Sequence, residues 1–205
     1  MMERPAELPQ VIAPAPVKLR RTPLQFFLRT VVCLLPLLWG WSLIAPWLAQ
    51  PVSTMAHMAL EFWASGLVQS VHKTLSLVEV QTRLAVPMAG GMGDIVVDAN
   101  PARYAYGLPV LWALLLAAGG AQRVRKLIGG SLLLLPTQAF SLTMDLLKQM
   151  AMAMPGGTKA LGINQWQLEG IGLAYQLGVL VVPTLVPVLL WLWLDQAYAR
   201  RLLLK

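Results

Sequence analysis

Four long apolar stretches divide the chain, at about 24–49, 104–121, 127–154 and 172–194, and the charged residues sort by the segments between them. If alternate segments are assigned to one side, that side carries Arg4, Lys18, Arg20, Arg21, Arg29, Arg123, Arg125, Lys126, Arg200, Arg201 and Lys205. These are 11 of the 16 basic residues, set against only Glu3, Glu7 and Asp195. The remaining positions hold 5 basic and 6 acidic residues, so the net +7 divides as +8 on one side and −1 elsewhere. Lys and Arg concentrated in alternate short loops orient a multi-span membrane protein with that side facing the cytoplasm. Each stretch approaches or exceeds the roughly 20 apolar residues that a spanning helix needs.

Composition agrees. The chain is 57% hydrophobic and 12% charged, about half the charged fraction of a soluble domain. The basic residues flank apolar stretches, where they meet anionic lipid, so the positive charge does not imply nucleic acid. A single cysteine, Cys33, makes an intrachain disulfide impossible and leaves the redox compartment unmarked.

About 23 residues rich in proline precede the first apolar stretch, which is too long for the core of a cleavable signal peptide. Residues 1–23 are expected to form a disordered cytoplasmic tail. Residues 24–205 are expected to form one membrane domain, with an extracytoplasmic insert over 50–103. Within that insert, Met55, Met58, Ala59, Phe62, Trp63, Leu67 and Val71 recur at helical spacing, interrupted by His57, Glu61, Gln69 and His72. A fifth span there would put Arg123, Arg125 and Lys126 outside, so 53–72 is expected to be an amphipathic helix lying on the outer face. From 74 to 100 the period shortens, and Pro87, Gly90, Gly91 and Gly93 supply a turn, which predicts a β-hairpin. A short outer helix is expected over 163–170, with Asn164 as its N-cap, before the last span. The expected fold is thus an all-α integral membrane protein of four spans. Both termini lie inside, with the amphipathic helix and a small hairpin outside.

Ionisable groups inside spans are costly and face a bundle interior or a cavity. Asp145 lies 19 residues past Lys126, roughly 28 Å along a helix and so near the outer interface. Gln138, Ser141 or Leu142, Asp145, and Lys148 or Gln149 share one helical face. Arg103, Tyr104 and Tyr106 lie at the outer end of the second stretch, and Tyr175 and Gln176 at the outer end of the fourth. The candidate polar site is therefore Arg103, Tyr104, Tyr106, Gln138, Asp145, Lys148 and Gln176. It serves either to bind a substrate segment or as a structural clamp in which Asp145 pairs with Lys148 or Arg103. His57 and His72 lack the close spacing of metal ligands. Cys33 has no polar companion nearby in sequence, and Ser141 has no histidine on its own or a neighbouring span to activate it. No cofactor, metal or nucleic-acid motif is present.

Three blocks carry a resemblance. They are Asn100-Pro101-Ala102-Arg103-Tyr104-Ala105-Tyr106-Gly107-Leu108-Pro109; then Leu135-Pro136-Thr137-Gln138-Ala139-Phe140 followed by Asp145-Leu146-Leu147-Lys148-Gln149; and Tyr175-Gln176-Leu177-Gly178 followed by Pro183-Thr184-Leu185-Val186-Pro187-Val188. Over about 24–200 the chain resembles the exosortase H-associated membrane proteins. The resemblance implies a bacterial inner-membrane protein that accompanies exosortase H, a transpeptidase-like enzyme acting on proteins with a C-terminal sorting signal. It also implies two partners besides the lipid bilayer: that enzyme and its substrate protein. A looser similarity to the exosortases themselves sets Ala105-Tyr106-Gly107 against their Cys-x-Gly motif, with alanine where the nucleophile would stand. The expected function is a non-catalytic accessory subunit that holds the enzyme or presents the substrate's hydrophobic tail at the periplasmic face. Two alternatives remain, a membrane transpeptidase or protease acting on its own and a small transporter. The transporter needs a polar path across the membrane, yet Leu127 to Leu135 is almost wholly apolar.

Overall fold

The computed structural model describes residues 23–203 apart from 65, 67, 75–76, 89–90, 121, 154–156 and 161. The expected N-terminal tail lies outside the described residues, except for Pro23. Helix α1 runs Pro23–Leu48 and passes at Ala49 into α2, Gln50–Ala64. Three strands follow: β1 (Val68–Lys73), β2 (Val78–Met88) and β3 (Gly91–Ala99). A short α3 (Ala102–Ala105) leads into α4 (Gly107–Ala118) and the long α5 (Arg123–Met152). After the single turn α6 (Gly157–Ala160), α7 (Gln165–Gln176) continues through a π-helical turn (Leu177–Val181) into α8 (Val182–Leu194), and α9 (Gln196–Leu203) follows.

Three helices are long and apolar enough to cross a membrane: Pro23–Leu48, Arg123–Met152 and the continuous Gln165–Leu194. Where the sequence predicts a fourth span at 104–121, the structure has the shorter apolar helix Ala102–Ala118. Its 17 residues rise only about 25 Å, against a hydrocarbon core of about 30 Å. Gly119 ends it at φ 69°, a left-handed conformation that glycine adopts without steric cost.

The stretch 53–72 is helical only to Ala64. Beyond it Val68–Lys73 is a strand, so the expected hairpin is a three-stranded antiparallel sheet of order β1-β2-β3. Val71 pairs with Val80, and Val80 with Val97. The apolar spacing stays helical through Val71, but from Val68 on partners on β2 satisfy the backbone instead. Along β2, Val78, Val80 and Thr82 are buried and alternate with Glu79 and Gln81, the period of two that a half-covered sheet requires. The expected outer helix at 163–170 also differs, because it is the first part of the continuous helix that runs to Leu194. Asn164 caps that helix as the sequence implies. Its side chain accepts from the Gln167 N–H at 2.9 Å, and the Gln167 side chain accepts from the Asn164 N–H at 2.8 Å, a reciprocal capping box.

The core has two parts. One joins the sheet (Val78, Val80, Val97) to α2 (Val52, Ala56, Leu60) and to the C-terminal half of α5 (Leu142, Leu146, Met150). The other joins α4 (Leu108, Leu111, Leu115) to Phe26, Leu134 and Trp191. Close helix approach depends on glycine. A Cβ on Gly107 would lie 2.9 Å from the Pro183 carbonyl oxygen, and one on Gly178 would lie 3.0 Å from Ser141 Oγ. Small residues of this kind let apolar helices pack by van der Waals contact where lipid offers no hydrophobic drive. At the end of the bundle where α5 begins, Lys126 Nζ meets Asp195 Oδ1 at 2.9 Å, and Phe26 stacks on Trp191 with ring centroids 5.0 Å apart.

Candidate functional site

The far half of α5 is enclosed by α2, β3, α3 and the π-helical turn, and this buries Gln138, Ser141 and Asp145 along one stripe. The carboxylate of Asp145 needs donors, because an unpaired buried charge is expensive. Tyr104, itself 1% exposed, donates its hydroxyl to Asp145 Oδ2 at 2.6 Å, within the short range of charge-assisted O–H···O bonds. Gln149, one helical turn beyond, donates to the same oxygen at 3.2 Å and to the Asp98 carbonyl of β3 at 2.9 Å. One carboxylate thus joins the start of the α3–α4 segment, the end of α5 and the last strand of the sheet.

Two further contacts surround this centre. The Lys148 ammonium lies 3.7 Å from the ring centroid of Tyr175 on α7, a cation–π contact. The Tyr106 hydroxyl donates to the Val179 carbonyl at 3.4 Å. Val179 sits in the π-helical turn four residues before Pro183, which has no N–H to return to it. A carbonyl freed by proline inside a membrane helix must find another donor, and Tyr106 supplies one.

Of the seven candidates, the structure brings Tyr104 and Asp145 into direct contact and sets Lys148 and Tyr106 beside them. Gln138 lies on the same stripe two turns deeper, roughly 10 Å away. It is 2% exposed, and among the described residues neither its Oε1 nor its Nε2 has a hydrogen-bond partner. Arg103 and Gln176 are exposed. Neither Arg103 nor Lys148 forms the expected ion pair with Asp145, since the two ion pairs among the described residues are His57–Glu61 and Lys126–Asp195. The bridging role of Gln149 and the acceptor role of Val179 were not legible in the spacing. Only Pro183, four residues on, signals the second. Beside this stripe, α2 and α7 leave a hollow of about 480 Å³ against α5, lined by Trp63, Phe140, Met144, Leu147, Ile171 and Ala174.

The candidate nucleophiles are poorly placed for attack. Ser141 is fully buried and donates to the Thr137 carbonyl at 3.0 Å. Cys33 is half-buried in α1. His57 pairs with Glu61 at 3.2 Å, and His72 with Ser70 at 3.3 Å. Among the described residues no group of three or more His, Cys, Asp or Glu could hold a metal ion.

The sequence profile of a family described as exosortase H-associated membrane protein matches residues 20–198. The chain belongs to this family. No curated protein and no solved structure matches it. The match runs from just before α1 into α9 and so takes in every residue of the polar stripe. The chain is accordingly a membrane protein of the exosortase-associated kind, mostly helical, with three apolar helices of spanning length and a small sheet.

Proposed function

We propose that this protein is a non-catalytic accessory subunit of a bacterial exosortase H sorting system. In this reading the chain crosses the inner membrane four times with both termini in the cytoplasm, α3–α4 being the short fourth crossing. Two polar contacts support that placement. Lys126–Asp195 and Tyr104–Asp145 are separated along α5 by 19 residues, about 28 Å of rise and close to one hydrocarbon thickness. The sheet then lies on the periplasmic side, at the level where a sorting enzyme would meet its substrate.

The observation that carries the accessory reading is the Asp145 junction. Tyr104, Asp145, Gln149 and the Asp98 carbonyl lock the sheet to the bundle, which makes a rigid platform at the membrane face. The hollow between α2 and α7, lined by Trp63, Phe140, Met144 and Leu147 together with Gln167, opens beside it and suits a hydrophobic segment of a partner. Such a platform either holds the enzyme or presents the substrate's C-terminal tail. A tagged copy extracted from its native membrane in mild detergent should co-purify the sorting enzyme, and a deletion strain should accumulate unsorted substrate. Normal sorting in the deletion strain together with no co-purifying enzyme would reject the reading. Loss of sorting in Ser141→Ala or Cys33→Ala, with enzyme association intact, would instead make the protein itself the catalyst. A thiol label on Gly91→Cys should react from the periplasm, and reaction only from the cytosol would overturn the topology.

A further inference from the structure

A second feature lies at the opposite end of the bundle and takes no part in the polar stripe. An apolar groove of about 520 Å³ runs between α1, α4 and α5, inside the range of roughly 300–1,000 Å³ typical of small-molecule pockets. Its floor is one stripe of α4, Leu108, Trp112 and Leu116. One wall is the α5 stripe Val124, Ile128, Leu132 and Leu135; from α1 only Leu37 and Leu48 border it. The one polar pair in its wall satisfies itself, as Trp112 Nε1 donates to Ser131 Oγ at 2.9 Å. The far end is bounded by Leu48 and Pro51, where α1 passes into α2.

Length decides what fits. The α5 wall beside the two arginines, Val124 to Leu135, covers about 16 Å of helix rise, close to half of a roughly 30 Å hydrocarbon core. A partner's spanning helix would need the whole thickness; an acyl chain of one leaflet needs half. Charge decides the head group. Val124 is flanked in sequence by Arg123 and Arg125, both exposed. Among the described residues their guanidinium groups donate to neutral oxygens, of Gly120 and of Gln122. The acidic residue at this end among the described residues, Asp195, is already held by Lys126. Two cations with no acidic partner among the described residues thus flank Val124 at the end of the groove.

We propose that this groove is a binding site for one anionic phospholipid of the leaflet next to Arg123 and Arg125, with an acyl chain along Leu116, Ile128 and Leu132 and its phosphate on the two guanidinium groups. Arginine suits this role because its planar fork matches phosphate oxygens. The inference goes beyond the accessory reading and does not depend on the sorting enzyme.

Native mass spectrometry of the purified full chain, titrated with dioleoylphosphatidylglycerol or dioleoylphosphatidylcholine in mixed micelles, tests it. One phosphatidylglycerol should be retained in preference to phosphatidylcholine. The double variant Arg123→Gln/Arg125→Gln should weaken that retention by about fivefold per cation removed. Leu116→Trp, which fills the groove, should remove the bound lipid while both arginines remain. Equal retention of the two lipids by the unaltered chain would overturn the proposal. So would phosphatidylglycerol retention unchanged in the arginine double variant, whose exposed positions leave the packed core intact.

Discussion

Tyr104 and Asp145, 41 residues apart in sequence, meet through a 2.6 Å hydrogen bond with both side chains buried. Removing the hydroxyl with Tyr104→Phe leaves the carboxylate only the longer bond from Gln149. Hydrogen bonds to charged groups contribute about 1.5–3 kcal/mol, so the thermal midpoint in detergent should fall by several degrees. Asp145→Asn keeps an acceptor for the tyrosine without the buried charge and should lose less than Asp145→Ala. Equal losses in the two Asp145 variants would show that the hydrogen bond is not what holds the junction.

The glycines at helix crossings should divide by what surrounds them. In Gly107→Ala the new methyl meets backbone, 2.9 Å from the Pro183 oxygen, and relief requires moving α4 away from α8. Overpacking of this kind costs about 1–3 kcal/mol. Gly40 in α1 has nothing within 4 Å of the same atom, so Gly40→Ala should be neutral or stabilise by up to about 1 kcal/mol through helix propensity. Thermal unfolding of the two variants in one detergent should therefore give shifts of different sign or size.

Lys126 and Asp195 form a pair with side chains 21% and 11% exposed. Breaking such a pair from one side leaves an uncompensated charge, which costs about 3–5 kcal/mol at full burial and less at this exposure. The double variant Lys126→Ala/Asp195→Ala should therefore destabilise less than the sum of the two single variants. A double-mutant cycle on thermal midpoints measures the coupling, and simple additivity would show that the pair contributes nothing.

The sequence announced parts of this architecture whose physics is local. Hydropathy over long windows marked α1, α5 and α8, and the Asn164–Gln167 spacing marked a helix start. Features set by partners distant in the chain were less visible. In Val68–Lys73 the apolar residues Val68 and Val71 are three apart, a helical offset, and only the pairing with β2 makes the segment a strand. The helix at the expected span 104–121 stops at Ala118, because the glycines at 119 and 120 end it short of the basic loop. At the polar site, the stripe of Gln138, Asp145 and Lys148 followed from helix geometry. Their partners did not follow, because Tyr104 and Gln149 reach Asp145 through packing that spacing alone does not encode. Arg103 and Gln176 share the depth of Asp145 but not its enclosure.

Gln138 separates a structural role for the polar stripe from a functional one. Its amide is buried with neither end partnered among the described residues, and an unsatisfied buried polar group costs about 1–3 kcal/mol. If the stripe only clamps helices, Gln138→Leu should keep the volume, remove that cost and raise the thermal midpoint, with sorting in the native strain unchanged. If the amide waits for a hydrogen-bonding group of the enzyme or of a substrate tail, the same variant should be at least as stable yet lose association or sorting. The accessory reading expects the second outcome. Measuring the thermal midpoint and enzyme co-purification on the same preparation keeps the two apart, because a gain in stability accompanied by a loss of partner has no explanation in packing alone.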